Sequence, residues 1–203
     1  MFPTQELASV KRHSGFYLLE LVIVMLIVAI LGTIAMPGFQ YVTTSNRVST
    51  EVNSLLGDMQ YARNEALKEG QPITICASAN PTAPVPSCSG STSWQSGWIV
   101  FPDPNSTQTV APATTILRNQ TPFTANDSFN ANLGAAAVTF NREGFAYSGP
   151  IGNVSGQLGV VITLHDPTAA AQWTRCLLIN GAAAANSEML GTVRAGAPGT
   201  TCS

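Results

Sequence analysis

HSGFYLLELVIVMLIVAILGTIAMPGF, His13 to Phe39, is the stretch whose reading decides the fold. From Leu21 to Phe39 it holds no charged residue, while Glu20 stands at its front and Lys11 and Arg12 precede it. A secretory signal peptide would have a basic region, an apolar core and a small-residue cleavage site after the core. A plain membrane anchor needs about 20 apolar residues, with the basic pair holding the preceding end in the cytoplasm. Neither reading accounts for Glu20. A carboxylate near the start of a membrane helix costs a few kcal/mol unless it is paired or reaches the interface, so it counts as functional by default. Snorkelling to the interface is the bland alternative.

Beyond the apolar run the helix continues as an amphipathic one. Val48, Val52, Leu55, Leu56, Met59, Ala62 and Ala66 recur at three- and four-residue steps and form one stripe, with Glu51, Asp58, Arg63, Glu65 and Lys68 mainly off it. Gly70 followed by Pro72 reads as a C-cap and stop. From Phe16 to Glu69 such a helix would span roughly 80 Å, with Pro37-Gly38 expected to kink or locally unwind it.

The remainder has the pattern of a β domain. Strands are expected at Ile73–Ala77, Gly97–Phe101, Thr114–Arg118, Ala136–Phe140, Gly144–Tyr147, Gly159–Leu164, Thr174–Ile179 and Gly191–Arg194. Short strands and Asn/Gly/Pro-rich links, with no second long helical pattern, predict an α+β fold in which one or two antiparallel sheets pack on the single helix. Asn141–Gly144 reads as a hairpin loop, and the polar links Asn80–Trp94 and Pro102–Ala113 as surface loops. Trp94 and Trp98 are expected to pack into the core at the start of a strand.

Composition narrows the setting. The 203 residues carry a formal net charge of −2 and only 10% charged residues, so nothing overall invites nucleic acid or an anionic membrane surface. The four cysteines, Cys76, Cys88, Cys176 and Cys202, all lie beyond the apolar run and point to disulfides made in an oxidising compartment. Of the three connectivities, the local pairs Cys76–Cys88 and Cys176–Cys202 are favoured because they close the shortest loops. Zinc is the competing reading. It is poor, because no two cysteines have C-x₂-C spacing and His165 is the only histidine in the domain. No metal or cofactor is therefore expected.

Enzyme chemistry is equally hard to assemble. His165-Asp166-Pro167 has no G-x-S-x-G elbow beside it. No phosphate-binding P-loop is present, and no lysine follows Lys68, so nucleotide hydrolysis by this chain is not expected. The chain reads as a structural protein rather than an enzyme.

Lys11-Arg12-His13-Ser14-Gly15, then Phe16, then Glu20 and the apolar run, resembles the class III leader of type IV pilins and pseudopilins. The resemblance implies cleavage after Gly15 by a prepilin peptidase and methylation of the new amine on Phe16. It also implies that Glu20 pairs with the N-terminal amine of a neighbouring subunit. That pairing would supply the missing cation, since a buried carboxylate is tolerable when an opposite charge meets it in the same layer. Tyr17 and Leu18 stand where Thr-Leu is more usual, a mild departure.

Leu56-Gly-Asp-Met-Gln-Tyr-Ala-Arg-Asn-Glu-Ala66, Ile75-Cys76 and Trp94-Gln-Ser-Gly-Trp-Ile-Val-Phe-Pro-Asp103 look like the GspH/FimT branch of this family. The late Arg175-Cys176 strand and the Gly191–Arg194 strand look similar too. That branch holds FimT- and FimU-like minor pilins and the minor pseudopilin H of type II secretion. It implies a leader at 1–15, a transmembrane and filament-core helix at 16–39, an amphipathic helix at 40–70 and a periplasmic β domain at 71–203. It implies an inner-membrane precursor whose partners are the peptidase, other pilins or pseudopilins, and an assembly platform with its own ATPase.

DNA is the alternative partner. Some FimT proteins bind it through a basic Gly-Arg-x-Arg stretch. Here Gly191-Thr192-Val193-Arg194 keeps only the second arginine. From Arg47 onward the chain has seven basic and nine acidic residues. Arg194 with Arg175 alone would bind phosphates weakly at physiological salt, so DNA contact needs Arg118, Arg142, Arg175 and Arg194 to cluster in space.

Overall fold

The computed structural model describes residues 18–123, 125–148, 160–179 and 193–195, apart from the side chains of 34–38 and 193–195. Its one long helix, α1, runs Leu18–Glu69. Among the described residues nine strands follow: β1 Ile73–Ala77, β2 Trp98–Pro102, β3 Arg118–Gln120, β4 Ser128–Ala131, β5 Ala137–Phe140, β6 Ala146–Tyr147, β7 Val160–His165, β8 Arg175–Ile179 and β9 Val193–Ala195. They form two antiparallel sheets, ordered β3-β2-β1-β5-β6 and β4-β7-β8-β9. The chain divides into two compact units, Met1–Val42 and Thr43–Ser203.

In the larger unit the expected stripe is the packing face. Val48, Val52, Leu55, Met59, Ala62 and Ala66 are buried, and Leu56 packs at their margin. They share one core with Ile73, Ile75 and Val100 of the first sheet and with Phe129, Ile162, Leu164, Leu177 and Ile179 of the second. The helix ends as its sequence predicts: Gly70 takes a left-handed φ of +67° and its amide bonds the Ala66 carbonyl at 3.0 Å. Glu51 departs from the expectation. It sits three residues after Val48, on the flank of the stripe, and is buried with the core instead of facing water.

β1 is buried on both faces, which fixes it as the central strand of its sheet. Ile73, Ile75 and Ala77 face the helix side, while Cys76 joins Ile99, Phe101 and Ala137 in a second, smaller apolar cluster. β7 instead alternates buried and half-buried residues, as expected of a sheet covered on one face. The Asn141–Gly144 hairpin forms as expected. Asn141 Oδ1 accepts the amides of Glu143 (3.0 Å) and Phe145 (2.9 Å), and Gly144 supplies a φ of +80°.

Two strand expectations need correction. The segment expected at Thr114–Arg118 forms a strand only from Arg118 to Gln120, although the Leu117 amide already bonds the Val100 carbonyl of β2 at 2.8 Å. Before it the chain turns, with the Thr114 amide on the Ala111 carbonyl, and no residue from 114 to 117 is assigned to a strand. β4 was not expected, because Ser128-Phe-Asn-Ala131 offers one large apolar residue among polar ones. Its pairing is tertiary: Phe129 sits opposite Leu164 in β7, and the Ala131 amide reaches the Thr92 carbonyl.

Candidate functional site

The smaller unit carries the first candidate surface. Its described helical residues expose apolar side chains on every side, from 49% at Ile27 to 82% at Leu18. Glu20 lies exposed in the first turn described, and Thr33, the only hydroxyl between 18 and 33, returns its proton to the Ile30 carbonyl at 2.7 Å. Among the described residues no helix is long and apolar enough to cross a membrane. Gly15 and Phe16 lie outside the described residues. α1 runs unbroken through Pro37 and Gly38.

The second surface is built by the two long loops over the outer face of the first sheet. The Cys76–Cys88 disulfide, one of the expected pairs, ties the first loop to β1, with a Cα–Cα distance of 5.6 Å. Ser78 reinforces it by donating to the Ser87 carbonyl at 2.7 Å. The second loop is organised by Asp103, a buried carboxylate that sequence reading left without a role. It accepts the amides of Thr107 (2.9 Å) and Gln108 (2.7 Å) and the hydroxyl of buried Thr74 (2.9 Å). Between the loops lies a cleft of about 410 Å³ rimmed by Pro81, Pro84, Val85, Val110 and Ile116. Cys176 is also disulfide-bonded; Cys202, its expected partner, lies outside the described residues.

Trp94 and Trp98 pack as expected, and each of their indoles has a polar partner. Trp94 donates to the Ala135 carbonyl at 3.0 Å. Trp98 donates to Asp58 at 2.8 Å, stacks on Phe129 at 6.3 Å between centroids and meets Phe123 edge-on at 5.7 Å. Asp58 also holds Arg118 at 2.9 Å, and the Arg118 guanidinium lies 3.9 Å from the Tyr61 ring centre.

The basic residues are spread among separate roles. Arg118 serves Asp58 and Tyr61, and Arg142 sits in the exposed hairpin turn. Arg175 is buried and donates to the main-chain carbonyls of Gln172 (3.0 Å) and Thr174 (3.1 Å). Arg194 lies opposite Leu178 in the β8–β9 ladder, with its side chain outside the described set. His165 does meet a serine, with Ser128 Oγ 2.7 Å from Nε2. Asp166 does not complete a triad, because its carboxylate is taken by the Thr168 hydroxyl at 2.7 and 2.9 Å, while His165 Nδ1 lies 3.0 Å from both Ser128 Oγ and the Asp166 main-chain oxygen. Among the described residues no group of three or more His, Cys, Asp or Glu side chains could hold a metal ion.

The family described as type II transport protein GspH matches residues 51–183. Two crystal forms of the Pseudomonas aeruginosa (strain PAO1) type IV minor pilin FimU are similar in structure. The first, in space group P65, is 17% identical, covering 78% of this chain and 96% of its own, with a TM-score of 0.47. The second, in P21, is 16% identical and covers 80% and 99%, also with a TM-score of 0.47. No protein of curated function matches the chain.

Proposed function

Because the chain belongs to the GspH family, whose fold and role are those of structural pilins rather than enzymes, we propose that it is a minor pilin or pseudopilin. In this reading it is made as an inner-membrane precursor, cut after Gly15 and methylated on Phe16. It then joins other minor subunits at the tip of a type IV pilus or a type II secretion pseudopilus, where it initiates assembly. The observation that carries the proposal is the contrast within α1. Residues 48–66 bury one stripe in the β domain, whereas residues 18–33, Glu20 apart, are apolar all round and exposed. A helix apolar on every face has no stable place in water and needs lipid or other helices around it.

Glu20 would then register each subunit against the N-terminal amine of its neighbour, and the two loops over the first sheet would meet partner subunits. The prepilin peptidase, the assembly platform and its ATPase are the remaining partners in this account.

The test is a clean deletion in a strain with retraction disabled. Surface pili should be lost and should return with the wild-type gene. Glu20→Ala should leave leader removal intact and lower incorporation about tenfold or more, because one buried unpaired amine costs several kcal/mol. Unchanged pili in the deletion strain would remove the pilus role and leave secretion or DNA uptake as the process served. Unchanged incorporation of Glu20→Ala would remove the pairing role.

A further inference from the structure

Near the start of the β-domain unit, three charged side chains meet between α1 and β4. Arg47 grips Asp127 with two bonds, Nε to Oδ2 at 2.8 Å and Nη2 to Oδ1 at 2.9 Å. The Asp127 side chain is fully buried and that of Arg47 is 38% exposed. Asp127 immediately precedes β4, so the pair ties the helix to the second sheet. One helical turn beyond Arg47 lies Glu51, only 6% exposed, with a buried Oε2 that has no hydrogen-bond partner.

The charge count is uneven. Two buried carboxyls face one guanidinium, and the fork of that guanidinium is already occupied by Asp127. A second buried carboxylate without its own cation is costly, and two adjacent carboxyls relieve the cost by sharing a proton. The Glu51 carboxyl is accordingly pushed up from its ordinary 4.5 to about 7. Burial is the largest cause, followed by the charge of Asp127 and a hydrogen bond to it, while Arg47 pulls the other way. Across β4, His165 is engaged by Ser128 and the Asp166 carboxylate by Thr168; the charges acting on Glu51 are those of Asp127 and Arg47.

We propose that Glu51, Asp127 and Arg47 form a proton-operated latch between α1 and β4. One proton shared by the two carboxyls holds the first turns of the domain helix against the second sheet, and its loss loosens them. The closed latch binds a proton that the opened one releases. Its contribution is therefore complete below pH 4.5, fades as pH rises toward about 7 and falls no further above that. This inference does not depend on which filament, if any, the chain joins.

The test is hydrogen exchange on the full chain in detergent micelles, corrected for the intrinsic pH dependence of amide exchange. In the wild type the opening constant for amides of α1 around Glu51 and of β4 should rise roughly tenfold between pH 6 and pH 8. Glu51→Gln, which keeps a neutral donor beside Asp127, should hold that constant low at both values. A wild-type opening constant unchanged between the two pH values would overturn the latch, and so would a Glu51→Gln chain that keeps the wild-type slope. Should that variant fail to fold, carboxyl carbon NMR of wild-type Glu51 decides instead. A midpoint near 7 supports the latch, and one near 4.5 overturns it.

Discussion

Trp98→Ala should bring the β domain close to its unfolding midpoint at 37 °C. The indole is fully buried and touches three layers at once: it donates to Asp58 of α1, lies in β2 of the first sheet and stacks on Phe129 of the second. Removing a buried tryptophan costs about 3–5 kcal/mol through lost transfer energy and the cavity left behind. That is a large part of the roughly 5–15 kcal/mol that holds a domain of this size. Asp58 loses one donor but keeps Arg118, so the desolvation penalty stays small beside the cavity. Trp98→Phe, which fills most of the space and drops the hydrogen bond, should cost only about 1–2 kcal/mol. Denaturant titration of the full chain distinguishes the two. A loss under about 1 kcal/mol for Trp98→Ala would mean that the two sheets and the helix do not share this core.

The paired change Cys76→Ala with Cys88→Ala should cost about 3 kcal/mol, the loop-closure entropy released to the unfolded chain by a bridge of this span. The damage should be local, because Cys76 belongs to the small cluster with Ile99, Phe101 and Ala137 rather than to the main core. Proteolysis should then cut first within the loop from Asn80 to Trp94, while the helix–sheet core stays intact. Making the change by substitution rather than by a reductant leaves the Cys176 disulfide in place, so the effect of one bridge is read alone. Equal stability with and without the bridge would mean that Ser78 and its bond to Ser87 already pin the loop.

Local patterns in the sequence carried the parts of the fold that are themselves local. The helical stripe from Val48 to Ala66 has a period that only one element can bury, and β1 reads as an unbroken β-branched and apolar run. The Asn141–Gly144 turn announces itself through the residue types that its geometry needs. What escaped sequence reading is non-local. β4 exists because Phe129 finds Leu164 across the sheet, and its own polar residues give no alternation to detect. The segment before β3 has strand-like residues, yet a turn at Ala111–Thr114 precedes them and the first bond to β2 comes only at Leu117.

The same division holds for the candidate sites. Cys76 and Cys88 are close in sequence and their pairing could be anticipated from loop length. Arg47 and Asp127 are 80 residues apart, and nothing in either neighbourhood names the other. Glu51 could have been placed nearer the core from its three-residue step after Val48. Its charge argued the other way, and only the arrival of Asp127 beside it shows how a carboxyl can be kept there.

The central claim, that this chain is processed as a pilin-type subunit, is tested most directly at its amino terminus. Mass spectrometry of the N-terminal peptide from cells with a working prepilin peptidase should find a chain that begins at N-methylated Phe16. A Gly15→Ala chain from the same cells should begin at Met1 instead. A wild-type chain that keeps residues 1–15, or one cut beyond the apolar run as a secretory signal peptide would be, would contradict the account.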